Sequence, residues 1–372
     1  MKILAVELHR VAIPLVRPFE TSFGRQTGRQ VLLVRVRTDV GDGWGECVAG
    51  SDPVYSSEYV DGCENVIRRY LAPALLAADD IAAESVAAPL TFVIGHRMAK
   101  AVVETAVLDA QLRAAGTSMA SYFEAERTEV DCGVSVGISL TIPALLDDVA
   151  LYVAQGYRRI KLKIKPGWDL EPVAAVRELL APDALLQVDA NTAHTLRDLD
   201  HLRRLDEYNL LLIEQPFAED DIRSHVFLAG AISTPVCLDE SIVNTELALA
   251  LDAIERGATS IINIKAGRMG GYLEALTLHD ACVEQAVPVW SGGMLETGLG
   301  RAANVALAAL PGFSLPGDTS ASDRYFAEDI TEPFVLRDGR PSVPTSPGSG
   351  VTVRDELVTA WAQRPVELLR EV

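Results

Sequence analysis

Ile160–Lys163 (IKLK), Leu185–Asp189 (LLQVD), Leu210–Glu214 (LLLIE), Pro235–Asp239 (PVCLD) and Ser260–Lys265 (SIINIK) are five short apolar runs, each closed by a charged residue. The closing residues Lys163, Asp189, Glu214, Asp239 and Lys265 stand 26, 25, 25 and 26 residues apart, about the length of one strand-plus-helix unit. Runs of this kind suit strands buried on both faces of a parallel sheet. Repetition of the unit predicts an α/β fold in which the strands form a barrel and their C-terminal ends converge on one mouth. The five charged side chains are therefore expected around a single cavity.

Three carboxylates with a lysine on each flank have a definite chemistry. Anions crowded together at low dielectric repel, so they share protons or bind a cation. The set Asp189, Glu214 and Asp239 is all oxygen, which favours a hard ion such as Mg²⁺ over Zn²⁺, with Mn²⁺ or another divalent ion able to stand in for it. A lysine beside such an ion, under a low-dielectric roof, is expected to have a lowered pKa and to act as a base near neutral pH. Lys161 lies two residues before Lys163 and so faces the same side of its strand. A buried ammonium there needs an anion, and contact with the substrate carboxylate or the ene-diolate is the expected role.

The length of the whole chain, 372 residues, limits the possibilities. It exceeds the roughly 250 residues of a plain barrel by about 120, room for one accessory domain. A formal charge of −19 argues against nucleic acid or an anionic membrane surface as partner. Cys47, Cys63, Cys132, Cys237 and Cys282 are odd in number and lack CxxC spacing, which suits buried thiols rather than a disulfide framework. Glu7, His9 and Arg10 interrupt the first apolar stretch, so no signal peptide is read and a cytoplasmic protein is expected.

Along the chain, alternating apolar segments up to about Ala49 read as an antiparallel meander, with Gly41, Gly43 and Gly45 taken as its hairpin turn. Helical periodicity follows, as in AKAVVETAVLDAQLRAAG, with Gly116 as the residue after the helix. Strand and helix then alternate from near Val130, including LRDLDHLRRLDEYN and ELALALDAIERGA as helices. The expected division is an α+β capping domain over 1–125, a barrel over 126–318, and a C-terminal segment, 319–372, folded back on the cap. His96, His194 and His201 have no partner set in the sequence and are assigned no role.

At these residues the chain resembles the enolase superfamily and, within it, the muconate lactonizing enzyme subgroup. Lys161-Leu162-Lys163 is similar to the family's K-x-K pair. Asp189 with Asn191, Glu214 with Gln215-Pro216, Asp239-Glu240-Ser241 and Asn263-Ile264-Lys265 are similar to its metal and second-lysine motifs. The sixth and seventh strand ends carry Lys265 and Ser291-Gly292-Gly293, unlike the histidine-base mandelate racemases. Asp318 is followed by Thr319 and Ser320 rather than completing the Asp-x-Asp of the dipeptide epimerases. Finer motifs, Gly133–Gly137 (GVSVG), Lys265–Arg268 (KAGR), Gly292–Gly298 (GGMLETG) and Pro316–Ser320 (PGDTS), are similar to the branch containing o-succinylbenzoate synthases and N-succinylamino acid (N-acylamino acid) racemases.

That resemblance implies a modified TIM barrel, (β/α)₇β, with a capping domain completed by the C-terminal segment. It implies Mg²⁺-dependent removal of a proton α to a carboxylate through an ene-diolate. The activity it implies is o-succinylbenzoate synthesis, a dehydration in menaquinone formation, or, as the alternative, racemisation of an N-acylamino acid, with both available to one site. It further implies Lys163 as base and acid, Lys265 as its opposite number, Arg268 as a residue tuning Lys265, and a lid near Phe19–Arg25. Phe19, Phe23, Tyr55, Ser135, Asn191, Gly293 and Met294 are the expected substrate contacts. The partner is a small-molecule carboxylate, and a homo-oligomer is expected.

Overall fold

The computed structural model describes residues 1–242 and 247–370. Glu246, the first residue of one expected helix, and the last two residues of the expected C-terminal segment lie outside them. Strands β1 (Ile3–Thr21), β2 (Gly24–Thr38) and β3 (Asp42–Cys47) form the antiparallel meander. Only Gly41 serves the turn, with φ +142°. Gly43 and Gly45 are strand residues, which corrects the turn reading. A Cβ on Gly43 would come within 2.2 Å of the Ala106 carbonyl oxygen, and one on Gly45 within 2.2 Å of that of Val102. Glycine is needed there because the helix Arg97–Ala115 lies directly on β3. That helix ends at Gly116, in the left-handed conformation at φ +66°, as expected of a C′ glycine.

The barrel strands are β4 (Gly133–Val136), β5 (Arg159–Lys163), β6 (Leu185–Asp189), β7 (Ile213–Glu214), β8 (Val236–Leu238), β9 (Ile261–Ile264) and β10 (Val289–Ser291). They pair in sequence order and in parallel. An irregular eighth segment closes the ring. Phe313 bridges to Val289 and Gly317 to Cys132, while Gly133 N–H donates to the Gly317 carbonyl at 2.7 Å and Asp318 N–H to that of Ser291 at 2.8 Å. The result is the (β/α)₇β barrel. Between β6 and β7 the expected helix over LRDLDHLRRLDEYN is broken into short turns around Leu199–Leu202 and ends at Asn209, φ +47°. Of its leucines only Leu202 and Leu205 are fully buried, too narrow an apolar stripe to hold a long helix against the sheet.

The C-terminal strand β11 (Glu367–Leu369) returns to the cap and pairs antiparallel with β1, Val6 opposite Leu369 and Leu8 opposite Glu367. On the way the segment also touches the barrel side, where Val343 N–H bonds the Thr128 carbonyl at 2.9 Å. One apolar core fills the cap between sheet and helices, built on Val34, Val36, Ile67 and Val103. Others lie between barrel strands and helices, around Val134, Ile160 and Leu186 on one side and Ile262, Leu278 and Val305 on the other. All five cysteines are free and buried. Among the described residues no helix is long and apolar enough to cross a membrane.

Candidate active site

Strand register brings the expected residues together. In the β5–β6 and β6–β7 ladders, Lys163 lies opposite Asp189 and Asp189 opposite Glu214. Asp239 and Lys265 are the residues directly after β8 and β9. Arg159, Lys161 and Lys163 share one face of β5, as residues two apart must. The three lysines reach back onto the carboxylates. Lys163 Nζ donates to Asp189 Oδ2 at 2.5 Å and to Asn191 Oδ1 at 2.8 Å. Lys161 Nζ donates to Asp318 Oδ2 at 2.7 Å and to Glu214 Oε2 at 3.1 Å. Lys265 Nζ donates to Asp239 Oδ2 at 2.7 Å and to the Tyr55 hydroxyl at 3.1 Å.

These contacts are held in place by neighbouring polar side chains. Gln215, at φ +35°, accepts from the backbone N–H of Asp239 at 2.9 Å and of Ser241 at 3.1 Å. Asn263 Nδ2 donates to Glu214 Oε1 at 2.8 Å. Asn191, at φ +41°, donates from Nδ2 to Glu240 Oε1 at 2.9 Å while accepting from Lys163. Below them, Lys161 and Arg159 lie over the ring of buried Trp290, 4.6 and 5.0 Å from its centroid.

Charge balance sets the protonation states. Burial opposes the Lys265 ammonium, yet Asp239, Glu214 and Glu240 outweigh it and raise the pKa above the ordinary lysine value. Lys161 is raised likewise, against burial, by Asp318, Glu214 and Asp189. The lowered lysine pKa expected from the sequence refers to a lysine beside a bound cation, whereas these two directions follow from the carboxylates alone. Burial, then repulsion from Asp189 and Asp239, pushes Glu214 up to about 8 despite Lys161. Asp318 is held well below the carboxylate range, since Lys161 and Arg159 outweigh its burial.

The side chains open on a cavity of about 80 Å³ between cap and barrel. Phe19, Phe23, Tyr55, Ser135, Lys161, Lys163, Asn191, Lys265, Gly293 and Met294 all line it, so every expected substrate contact reaches one space. The Phe23 and Tyr55 rings pack with centroids 5.3 Å apart. The β1–β2 hairpin is tied to the barrel mouth by Ser22 Oγ, which donates to the Asn191 carbonyl at 3.1 Å, and by Ile138 N–H, which donates to that of Glu20 at 2.8 Å. Gly293 must be small, since a Cβ would meet the Asp318 carbonyl oxygen at 2.9 Å. Arg268 is fully buried, and burial lowers its pKa to about 9. It donates to the Asp239 carbonyl at 2.6 Å and to the Tyr55 hydroxyl. Its hydrogen bonds thus go to the two residues that hold Lys265.

Sequence reasoning gave no role to Asp318, Arg159 or Glu240. Arg159 was legible, two residues before Lys161 on an inward face. Asp318 closes the irregular eighth segment, which carries no apolar run to mark it. The expected metal set stands as ion pairs: among the described residues no three His, Cys, Asp or Glu side chains are gathered on a common point. The donors nonetheless suit a hard cation. Asp189, Glu214 and Asp239 are fully buried acceptors at adjacent strand ends, and Asp239 Oδ1 and neighbouring Glu240 Oε2 are buried without a hydrogen-bond partner. A divalent ion would supply the charge they lack.

Known proteins share this fold. Residues 144–357 match the enolase C-terminal domain-like family, and residues 4–122 match the mandelate racemase/muconate lactonizing enzyme N-terminal domain. An N-succinylamino acid racemase from an Amycolatopsis species is 60% identical over 97% of this chain and 98% of its own. An o-succinylbenzoate synthase from Geobacillus stearothermophilus is 43% identical over 96% and 95%. The crystal structure of an enolase superfamily member from Listeria innocua, 37% identical, superimposes with a TM-score of 0.94 over 100% of this chain and 99% of its own. Membership of this family implies a divalent metal. With both of its domains matched end to end by relatives of the same architecture, the chain belongs to the enolase superfamily, in its mandelate racemase/muconate lactonizing enzyme division.

Proposed function

We propose that the protein removes the proton α to a substrate carboxylate, and that one site serves two reactions: dehydration to o-succinylbenzoate and racemisation of N-succinylamino acids. The observation that carries this is the placing of the lysines. In a ring of eight, β5 and β9 are four positions apart, so Lys163 and Lys265 approach the same cavity from opposite walls. In racemisation one lysine takes the α-proton from one face and the other returns a proton to the opposite face. In dehydration Lys163 takes the proton and then delivers it to the departing hydroxyl, which leaves as water, while Lys265 stays an ammonium beside the ene-diolate. Lys161, fixed by Asp318, is positioned for the substrate carboxylate.

Asp189, Glu214 and Asp239 are the proposed metal ligands and Mg²⁺ the proposed ion. Held by these three carboxylates, such an ion would supply positive charge that makes the proton α to the carboxylate more acidic. Arg268 is proposed to tune Lys265 through Asp239 and Tyr55, and Phe19, Phe23, Tyr55, Ser135, Asn191, Gly293 and Met294 to contact substrate. The proposed organisation is a cap over 1–125, a barrel over 126–318 and a returning segment over 319–372, in a cytoplasmic homo-oligomer. The names of the 60% and 43% identical relatives support the pair of reactions. Assaying both with the purified protein and Mg²⁺ tests the reading. Turnover of both substrates is expected; turnover of neither would overturn it.

A further inference from the structure

The cavity holds one more cation besides its lysines. Arg29, on β2, lines it from the cap side with Thr21 and Gln26. The residue is 4% exposed. Among the described residues its hydrogen bond is from Nη2 to the Val48 carbonyl at 3.2 Å, and Nε is buried with no partner. The acids whose charge it feels, Glu46 and Glu296, are engaged elsewhere. Glu46 accepts from Thr297 N–H at 2.9 Å, Thr297 Oγ1 at 2.6 Å and Gly300 N–H at 3.0 Å. Glu296, which also lines the cavity, accepts from Met294 N–H at 2.8 Å and Asn304 Nδ2 at 3.0 Å. A buried guanidinium with no carboxylate in its fork is costly, and its planar donors suit a carboxylate.

We infer that Arg29 receives a second, terminal carboxylate of the substrate, so that the site selects acyl arms that end in an anion. This rests on the reading of the lysines as the α-carboxylate end of the same cavity. The aromatic side chains of Phe19, Phe23 and Tyr55 offer an apolar wall for the remainder of a dicarboxylate. A residue that merely braces Val48 would show no preference for the charge at the far end of the ligand.

The test compares an N-succinylamino acid with its neutral counterpart, in which the terminal carboxylate is a primary amide of the same length. Calorimetric binding in the presence of Mg²⁺ and kcat/KM for α-proton exchange are both measured. The wild-type protein is expected to favour the acid by about 10- to 100-fold, the worth of a charge-assisted hydrogen bond. Arg29→Met is expected to bring the two ligands within about threefold of each other, and Arg29→Lys to keep part of the preference. Equal wild-type binding of acid and amide, or an equal loss for both in Arg29→Met, would overturn the inference. If Arg29→Met does not fold, Arg29→Lys decides: a preference for the acid unchanged from wild type would overturn the inference. Absence of exchange with every ligand would count against the proposed reaction, while binding would still decide the role of Arg29.

Discussion

Asp239 shows how one residue gathers the site. Its Oδ2 takes the Lys265 ammonium, its backbone carbonyl takes Arg268, and its N–H is held by Gln215. The Oδ1 atom makes no hydrogen bond, although the Arg268 guanidinium lies 3.2 Å away. Asp239→Asn and Glu214→Gln are each predicted to abolish turnover while the circular dichroism spectrum stays native, because each keeps the shape of a buried side chain and removes a carboxylate; Asp239→Asn is also expected to lower Tm, since the buried Lys265 ammonium loses its counter-ion. Removal of divalent ions by a chelator should likewise abolish turnover, reversed on adding Mg²⁺; full turnover in a metal-free preparation would contradict the account. At this scale the sequence was informative where a charge closed an apolar run. Arg29 and Asp318 escaped it for a physical reason: one sits mid-strand in a hairpin rich in arginines, and the other ends a segment that closes the barrel by isolated bridges rather than as a regular strand.

Among the elements, the junction of cap and barrel depends on two glutamates of the cap that enter the N-termini of consecutive barrel helices. Glu104, on the helix Arg97–Ala115, accepts from the backbone N–H groups of Tyr272 at 2.9 Å and Leu273 at 3.1 Å, which open the helix Tyr272–Glu284. Glu46, on β3, does the same at the helix Gly298–Ala308. Free N–H groups and the positive end of the helix dipole favour a carboxylate there. Burial nevertheless dominates and raises both pKa values to about 7. An acid whose pKa is raised on folding binds protons more tightly folded than unfolded, so stability falls as pH rises from about 4.5 to about 7, by on the order of 3 kcal/mol per group. The prediction is that wild-type Tm is higher at pH 5.5 than at pH 8 and that Glu104→Gln flattens this slope; parallel Tm profiles would show that Glu104 does not titrate there. Element boundaries were legible where both ends were marked: β6 spans the expected Leu185–Asp189. Gly43 and Gly45 were misread because the helix that demands them lies about 60 residues further on, beyond any local signal.

For the whole molecule, the two-domain α/β architecture followed from the repeat and the length, whereas the depth of the cavity did not. The cavity exists because the β1–β2 hairpin and the loop bearing Tyr55 close over strand ends that are far away in sequence. The ion-paired state of the lysines is likewise a property of the assembled charges, since three ammonium groups and four carboxylates are confined together. The central claim is that Lys163 and Lys265 serve one α-carbon from opposite walls. Its most direct test is solvent-deuterium exchange at the α-carbon of each enantiomer of an N-succinylamino acid, followed by NMR in Lys163→Ala and Lys265→Ala with Mg²⁺ present. Both variants should lose racemisation, and each should retain exchange with one enantiomer only, the opposite one in the two variants. Exchange surviving with the same enantiomer in both, or with both enantiomers in either, would contradict the two-wall account.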